Sequence, residues 1–194
     1  MIPPHLAKRR PYPDFVKTAE ATTHEEGGVS FRTILHVTTH DAFTQTSKVG
    51  VFIGANPSRA LGDGSDATVN KVLRWFRAQD CSEMYIFNLS PYRATDAADA
   101  VRWLSEPDNP AQSDRVNAAA HAKLDELLRA ERPPIILTGW GDCLKRHVRE
   151  FVWPSLPLNV ERALVYHLPL TKAGNPGHPL YPSLTNLLTR RGLP

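Results

Sequence analysis

The sequence has 194 residues, 41% of them apolar, with 23 Lys and Arg against 20 Asp and Glu for a formal charge of +3. A chain of this size and apolar content suits one domain with a real hydrophobic core. Its two cysteines, Cys81 and Cys143, fit neither a disulfide framework nor a CxxC redox or metal site. They are expected as packed thiols in a reducing compartment.

The opening stretch "MIPPHLAKRRPYPDF" is basic but lacks the apolar segment of a signal peptide, and no apolar run reaches the length of a membrane span. A cytoplasmic protein with no membrane partner is expected. Residues 1–26, rich in proline at the start, are expected as a poorly ordered arm, followed by a single α/β domain over 27–194. "VSFRTILHV" (Val29 to Val37) alternates as a half-exposed strand does, at a sheet edge beside Val49 to Ile53. The second run is uniformly apolar, as a central strand should be.

Asp66 is suited to cap a helix on which Val69, Val72, Leu73 and Phe76 share one face, and "EMYIFNL" (Glu83 to Leu89) reads as the next buried strand. Thr95 opens a short helix through Leu104, and "EPDNP" breaks the chain. Ser113 then begins a longer helix with Val116, Ala120, Leu124, Leu127 and Leu128 inward, stopped by Pro133 and Pro134. "IILTG" is a further strand, a helix runs from about Asp142 to Phe151, and "ALVYHL" (Ala163 to Leu168) is again a strand. Ser183 caps a last helix that Gly192 ends.

Strands alternating with helices imply a three-layer α/β/α domain around a mostly parallel sheet, with a ligand crevice at the carboxyl ends of the strands. Polar loops marked by Gly or Pro stand at those ends: "GANPS" (Gly54 to Ser58), "NLSPYRAT" (Asn88 to Thr95), "TGWGD" (Thr138 to Asp142) and "TKAGNPGHPLYPS" (Thr171 to Ser183). Each residue also has a plainer role open to it. Asn56-Pro57 commonly starts a turn, and Asn88 can simply bond to a neighbouring backbone group. Tyr92 can be a packed ring beside the surface cation Arg93, His178 an exposed loop residue, and Trp140 part of the core. Their placement at successive strand ends favours a functional crevice. The basic clusters Lys8-Arg9-Arg10, Lys145-Arg146-His147 and Arg190-Arg191 suit either phosphate contacts or a solvated surface, so charge alone does not decide the partner.

The segments "NPS" (Asn56 to Ser58), "DAT" (Asp66 to Thr68), "NLSPYRATD" (Asn88 to Asp96), "WG" (Trp140-Gly141) and "GNPGHPLY" (Gly174 to Tyr181) resemble those of domain-of-unknown-function family 1643, a bacterial and phage group. More distantly, the order "GANPS", "YIFNLSPYR", "ILTGWG" and "HPLYPSLTNLL" is similar to the uracil-DNA glycosylase superfamily, whose mismatch-specific branch has a Gly-x-Asn-Pro-Gly loop. That second resemblance implies the uracil-DNA glycosylase fold and an enzyme that cleaves the N-glycosidic bond of a modified or mismatched pyrimidine in DNA.

By the same resemblance Asn56 would orient water and Asn88 would read the edge of a flipped base. The loop around His178 would grip the nucleic-acid backbone and assist the departing base. Gly54, Ser58 and Tyr92 join Asn88 as candidates for base binding, and Arg93, Lys172 and Ser183 are candidates for phosphate contacts. Ser58 stands where the mismatch-specific loop ends in Gly. Two cysteines cannot supply the four thiolates of an iron-sulfur cluster, and neither metal nor cofactor is expected. Two other readings stay open: a base-modifying or nucleotide-processing enzyme on the same fold, and a non-catalytic module that binds nucleic acid or nucleotide. The partner expected is DNA or a nucleotide, with the oligomeric state open.

Overall fold

The apolar run from Lys48 to Gly54 forms strand β3, whose last five residues are all buried. That degree of burial requires cover on both faces, and helices supply it. In the computed structural model, which describes residues 9–40, 48–57, 60–94, 96–144, 147, 164–179 and 188–190, the described strands form one seven-stranded sheet. Its elements in chain order are β1 (Val16–Glu26), β2 (Val29–Thr39), β3 (Lys48–Gly54), α1 (Ala67–Ala78), β4 (Cys81–Asn88), α2 (Ala97–Leu104), α3 (Asn109–Arg129), β5 (Ile135–Thr138), β6 (Leu164–His167) and β7 (Leu188–Arg190).

The strand order is β1-β2-β4-β3-β5-β6-β7. The pairs β3 with β4, β3 with β5, and β5 with β6 are parallel. The pairs β1 with β2, β2 with β4, and β6 with β7 are antiparallel. A mostly parallel sheet is therefore corrected to a mixed one, in which a parallel centre is flanked by antiparallel strands. Alternation of apolar residues reports burial and not strand direction, which is why the sequence pattern did not separate the two.

Two further expectations are corrected. Val16 to Glu26, placed in a poorly ordered arm, is a strand, and the two-residue turn Gly27-Gly28 joins it to β2 with φ of 61° and 76°. Positive φ at both positions is what a type I′ hairpin turn needs, and glycine reaches it without strain. β1 is an edge strand with most of its side chains in solvent, so it lacks the apolar signal of a buried one. Leu188 to Arg190, placed in a last helix, is strand β7; Ser183 and Gly192 lie outside the described residues. The helix expected over Asp142 to Phe151 also falls largely outside them, and its start, Asp142 to Leu144, is a turn.

Helix α1 begins as its sequence implies, with the Asp66 carboxylate accepting from Val69 N at 2.9 Å. Its apolar face buries Val69, Val72, Leu73 and Phe76 against Leu35, Phe52 and Ile86 on one side of the sheet. Helices α2 and α3 bury Ala100, Leu104, Leu124 and Leu128 against Val51, Ile53 and Phe87 on the other. Asp96, not Thr95, caps α2, and α3 starts at Asn109, earlier than Ser113, because Pro110 is tolerated in a first turn. Among the described residues no helix is long and apolar enough to cross a membrane.

From β3 the chain crosses through α1 to β4 on one side, then through α2 and α3 to β5 on the other. The carboxyl ends of β3 and β5 thus diverge at a topological switch point, where doubly wound folds place ligands.

Candidate functional site

A crevice of about 710 Å³ opens at that switch point. Gly54, Asn56 and Asn88 line it from the ends of β3 and β4, Trp140 and Asp142 from the loop after β5, and His178 from the loop after β6. Four separate loops therefore converge on one cavity.

Gly54 pairs directly with Asn88 across the parallel ladder. A methyl group built on Gly54 would lie 3.2 Å from Asn88 Oδ1 and 3.0 Å from the Phe52 ring, so glycine leaves the space that the Asn88 side chain occupies. Asn88 is 6% exposed, and its Nδ2 is buried with no hydrogen-bond partner among the described residues. A buried amide donor with no acceptor is costly, and such groups are rare in folded proteins. The backbone beneath it is held from α3, where the buried Asn117 donates to the carbonyls of Asn88 and Leu89 at 3.5 and 3.4 Å.

Asn56 is half-buried and points its amide group at the backbone. Its Nδ2 donates to Ala94 O at 3.0 Å, and Ala94 N donates to Pro57 O at 3.2 Å, so the two loops are stitched together. Among the described residues nothing donates to Asn56 Oδ1, which leaves an acceptor at a fixed place in the crevice.

His178 lies close over Gly141, whose φ of 63° suits glycine; a methyl there would meet His178 Cβ at 3.3 Å. The loop is fastened by Gly141 N donating to Pro176 O at 2.8 Å, and Asp142 accepts from Thr171 Oγ1 and Asn175 Nδ2 at 2.6 and 2.7 Å. Burial lowers the His178 pKa below its ordinary 6.5, with Lys71 acting in the same direction and Asp66 opposing. The imidazole is therefore neutral at pH 7 and offers one donor and one acceptor.

Lowering of this kind also sets a sign for stability. The unfolded chain takes up this proton more readily than the folded one, so the His178 contribution is complete above pH 6.5. It is lost as pH falls through the lower folded value. A titration of the imidazole signals by NMR should show His178 charging below 6.5; an apparent pKa above 6.5 would contradict the desolvated site.

The crevice brings together Gly54, Asn56, Asn88 and His178 of the candidates, but not the others. Tyr92 does not line it: the ring stacks on Trp103 at 4.9 Å with planes 5° apart. Arg93 turns away toward Ser30, donating to its hydroxyl at 3.1 Å, and Lys172 is exposed in a turn outside the lining. Ser58 and Ser183 lie outside the described residues.

Other residues enter that sequence reasoning did not single out for the site. Asp66, Asp96 and Asp142 give the crevice three carboxylates, and Arg32 lines it from β2. The caps Asp66 and Asp96 were open to recognition, since a helix that follows a strand begins at the strand's carboxyl end. No group of three or more His, Cys, Asp or Glu residues suited to a metal ion occurs among the described residues.

The architecture and the site together define a mixed α/β protein with a crevice at its switch point, in which the amides of Asn56 and Asn88 and the carboxylates of Asp66, Asp96 and Asp142 stand among apolar residues such as Phe52 and Trp140. The chain belongs to the family described as "Protein of unknown function (DUF1643)", whose model matches residues 33–180. Neither curated proteins nor solved structures give a match.

Proposed function

We propose that the crevice binds a pyrimidine base and hydrolyses its N-glycosidic bond, as the resemblance to the uracil-DNA glycosylase superfamily implies, with a modified or mismatched base of DNA as substrate. The observation that carries this reading is the buried, unpartnered Nδ2 of Asn88 beside Gly54 at the crevice floor. An amide carries both donors and an acceptor, the complement of the carbonyl and N–H on a pyrimidine edge. The 2-1-3-4 order of the parallel centre and the helices on both faces are compatible with that superfamily's α/β/α fold.

In such a reaction the C1′–N bond breaks, its electron pair leaves with the base, and water adds to C1′. Asn56 is a poor base but its Oδ1 can hold the water in line, and the proton it loses passes to a carboxylate of the crevice. Those carboxylates also oppose the positive charge that develops on the sugar. Neutral His178 donates to the departing base.

The test is incubation with oligonucleotides carrying uracil, hydroxymethylated or mismatched pyrimidines, followed by alkali. Strand breaks at the modified position are the expected result, and their absence on every substrate would remove the reading. Asn56→Ala should slow turnover on the order of 100-fold through loss of water positioning while leaving substrate affinity nearly intact. Equal losses in turnover and affinity would mean that Asn56 binds substrate or holds its loop to Ala94 instead.

One observation favours a second reading. Asp66, Asp96 and Asp142 repel a polyanion, which suits a free nucleotide better than a DNA strand and makes the protein a nucleotide-processing enzyme. Release of base from a nucleoside monophosphate, with intact oligonucleotides, would select it.

A further inference from the structure

Arg32 is 2% exposed, yet it lines the crevice. It arrives there through an irregularity in β2. Pairing with β1 runs Thr22 to Ile34 and then Thr23 to Arg32, so Thr33 is an extra residue on β2, a β-bulge. The bulge exchanges the faces. Beyond it, Leu35 and Val37 pack toward α1, whereas Phe31, of the same parity, packs edge-on against Trp103 of α2 with centroids 5.6 Å apart. Arg32 is thereby turned to the α1 side and into the crevice.

Its charge is poorly answered. Nη1 donates to Ala60 O at 2.5 Å, and Nε is buried without a partner among the described residues. Among the described residues Arg32 forms no ion pair with a carboxylate; Asp66, which acts on it at longer range, gives its Oδ1 to Val69 N. Burial draws the guanidinium down to about 10, so it remains protonated at pH 7. A buried, hydrogen-bond-poor cation is strongly unfavourable unless something anionic completes it.

We infer that Arg32 is the receptor for a phosphate group of the ligand, so that the crevice takes a nucleotide whose base lies on Asn88 and whose phosphate ester lies on the Arg32 fork. The base half rests on the reading proposed above. The phosphate half rests on Arg32 alone. A guanidinium presents paired N–H donors that match phosphate oxygens, and charge-assisted bonds of this kind are among the strongest in proteins. The same phosphate is present in a free nucleoside monophosphate and in the flipped nucleotide of a strand.

Cys143 provides a reporter, since it lines the crevice half-buried while Cys81 is fully buried. Alkylation of Cys143 in the wild-type protein should be slowed by inorganic phosphate but not by chloride at equal ionic strength. Deoxyuridine monophosphate should bind ~10-fold or more tighter than deoxyuridine, and Arg32→Met should erase that difference while deoxyuridine affinity holds. A short uracil-bearing oligonucleotide that protects better than the monophosphate assigns the phosphate to a strand; the reverse assigns it to a free nucleotide.

Nucleoside binding without any gain from phosphate overturns the Arg32 proposal and leaves the base reading standing. Phosphate protection without nucleoside binding does the opposite. If Arg32→Met does not fold, the phosphate and nucleotide comparisons on the wild-type protein decide alone, and failure of phosphate to protect Cys143 there sinks the proposal.

Discussion

Asn88→Ala is expected to weaken binding of the cognate base by about 1 to 3 kcal/mol, roughly 5- to 150-fold, because polar groups on the ligand are left unmatched in a buried site. The melting temperature should stay at or above that of the parent. Nδ2 of Asn88 has no partner among the described residues, so removing it breaks no hydrogen bond there, and the donor's desolvation cost disappears with it. Affinity and stability should therefore move apart. Asn88→Asp, which replaces two donors with an acceptor, should shift preference toward bases that donate at the contacted edge. The check is calorimetric titration with a panel of pyrimidines beside thermal melts of each variant. A variant that melts early with unchanged base affinity would make Asn88 a strand-end fastening and nothing more.

Phe76→Ala should cost about 3 to 5 kcal/mol of stability, the usual range for deleting a buried aromatic ring. The ring is fully buried and lies over the backbone of β3, where a methyl built on Gly50 would come within 2.6 Å of it. Gly50 has no side chain with which to fill the void, so the space between α1 and β3 stays open. Loss of that size removes a large share of a domain's 5 to 15 kcal/mol. Urea unfolding checks it: the midpoint should fall with the slope unchanged, and a loss under ~1 kcal/mol would mean that helix and strand close the gap.

The parts of the fold legible in the sequence are those where a local pattern and a buried environment agree. Val69, Val72, Leu73 and Phe76 recur at helical spacing behind the cap Asp66, and the structure buries each of them on α1. Asn56 and Asn88 stand at the ends of apolar runs, and the parallel pairing of β3 with β4 brings both to the crevice. The rest depended on partners distant in the chain. β1 is held by a hairpin ladder while most of its side chains remain in solvent, so its Thr, Lys and Glu residues carry no core signal. Gly27-Gly28 was the local clue to it. Leu188 to Arg190 reads as helix in isolation and becomes strand because β6 offers an edge.

Arg32 illustrates a harder case. Strict alternation along "VSFRTILHV" assigns its side chain the same face as Ile34, and only the unpaired Thr33 reverses it. Nothing in the residue types announces that bulge. Tyr92 lies outside the crevice lining for a similar reason, since its stacking partner Trp103 comes from a helix whose docking angle no local pattern encodes.

The central place of β3 gives the crevice two clocks. That strand is laddered on both sides and covered by helices on both faces, so its amides should exchange with solvent only when the whole domain opens. Asn56 and, through β4, Asn88 inherit that slow clock. Among the described residues Thr171 to His178 is joined to the sheet by no ladder, and holds its place through turn bonds and contacts to Asp142 and Gly141, so it is expected to exchange on a faster clock. For the proposed ligand, exchange is then expected to be timed from the His178 side. A mutation that destabilises the sheet would lower the amount of folded protein without altering how long a bound ligand stays, whereas a change in the Thr171 to His178 loop would alter residence time in protein of undiminished stability.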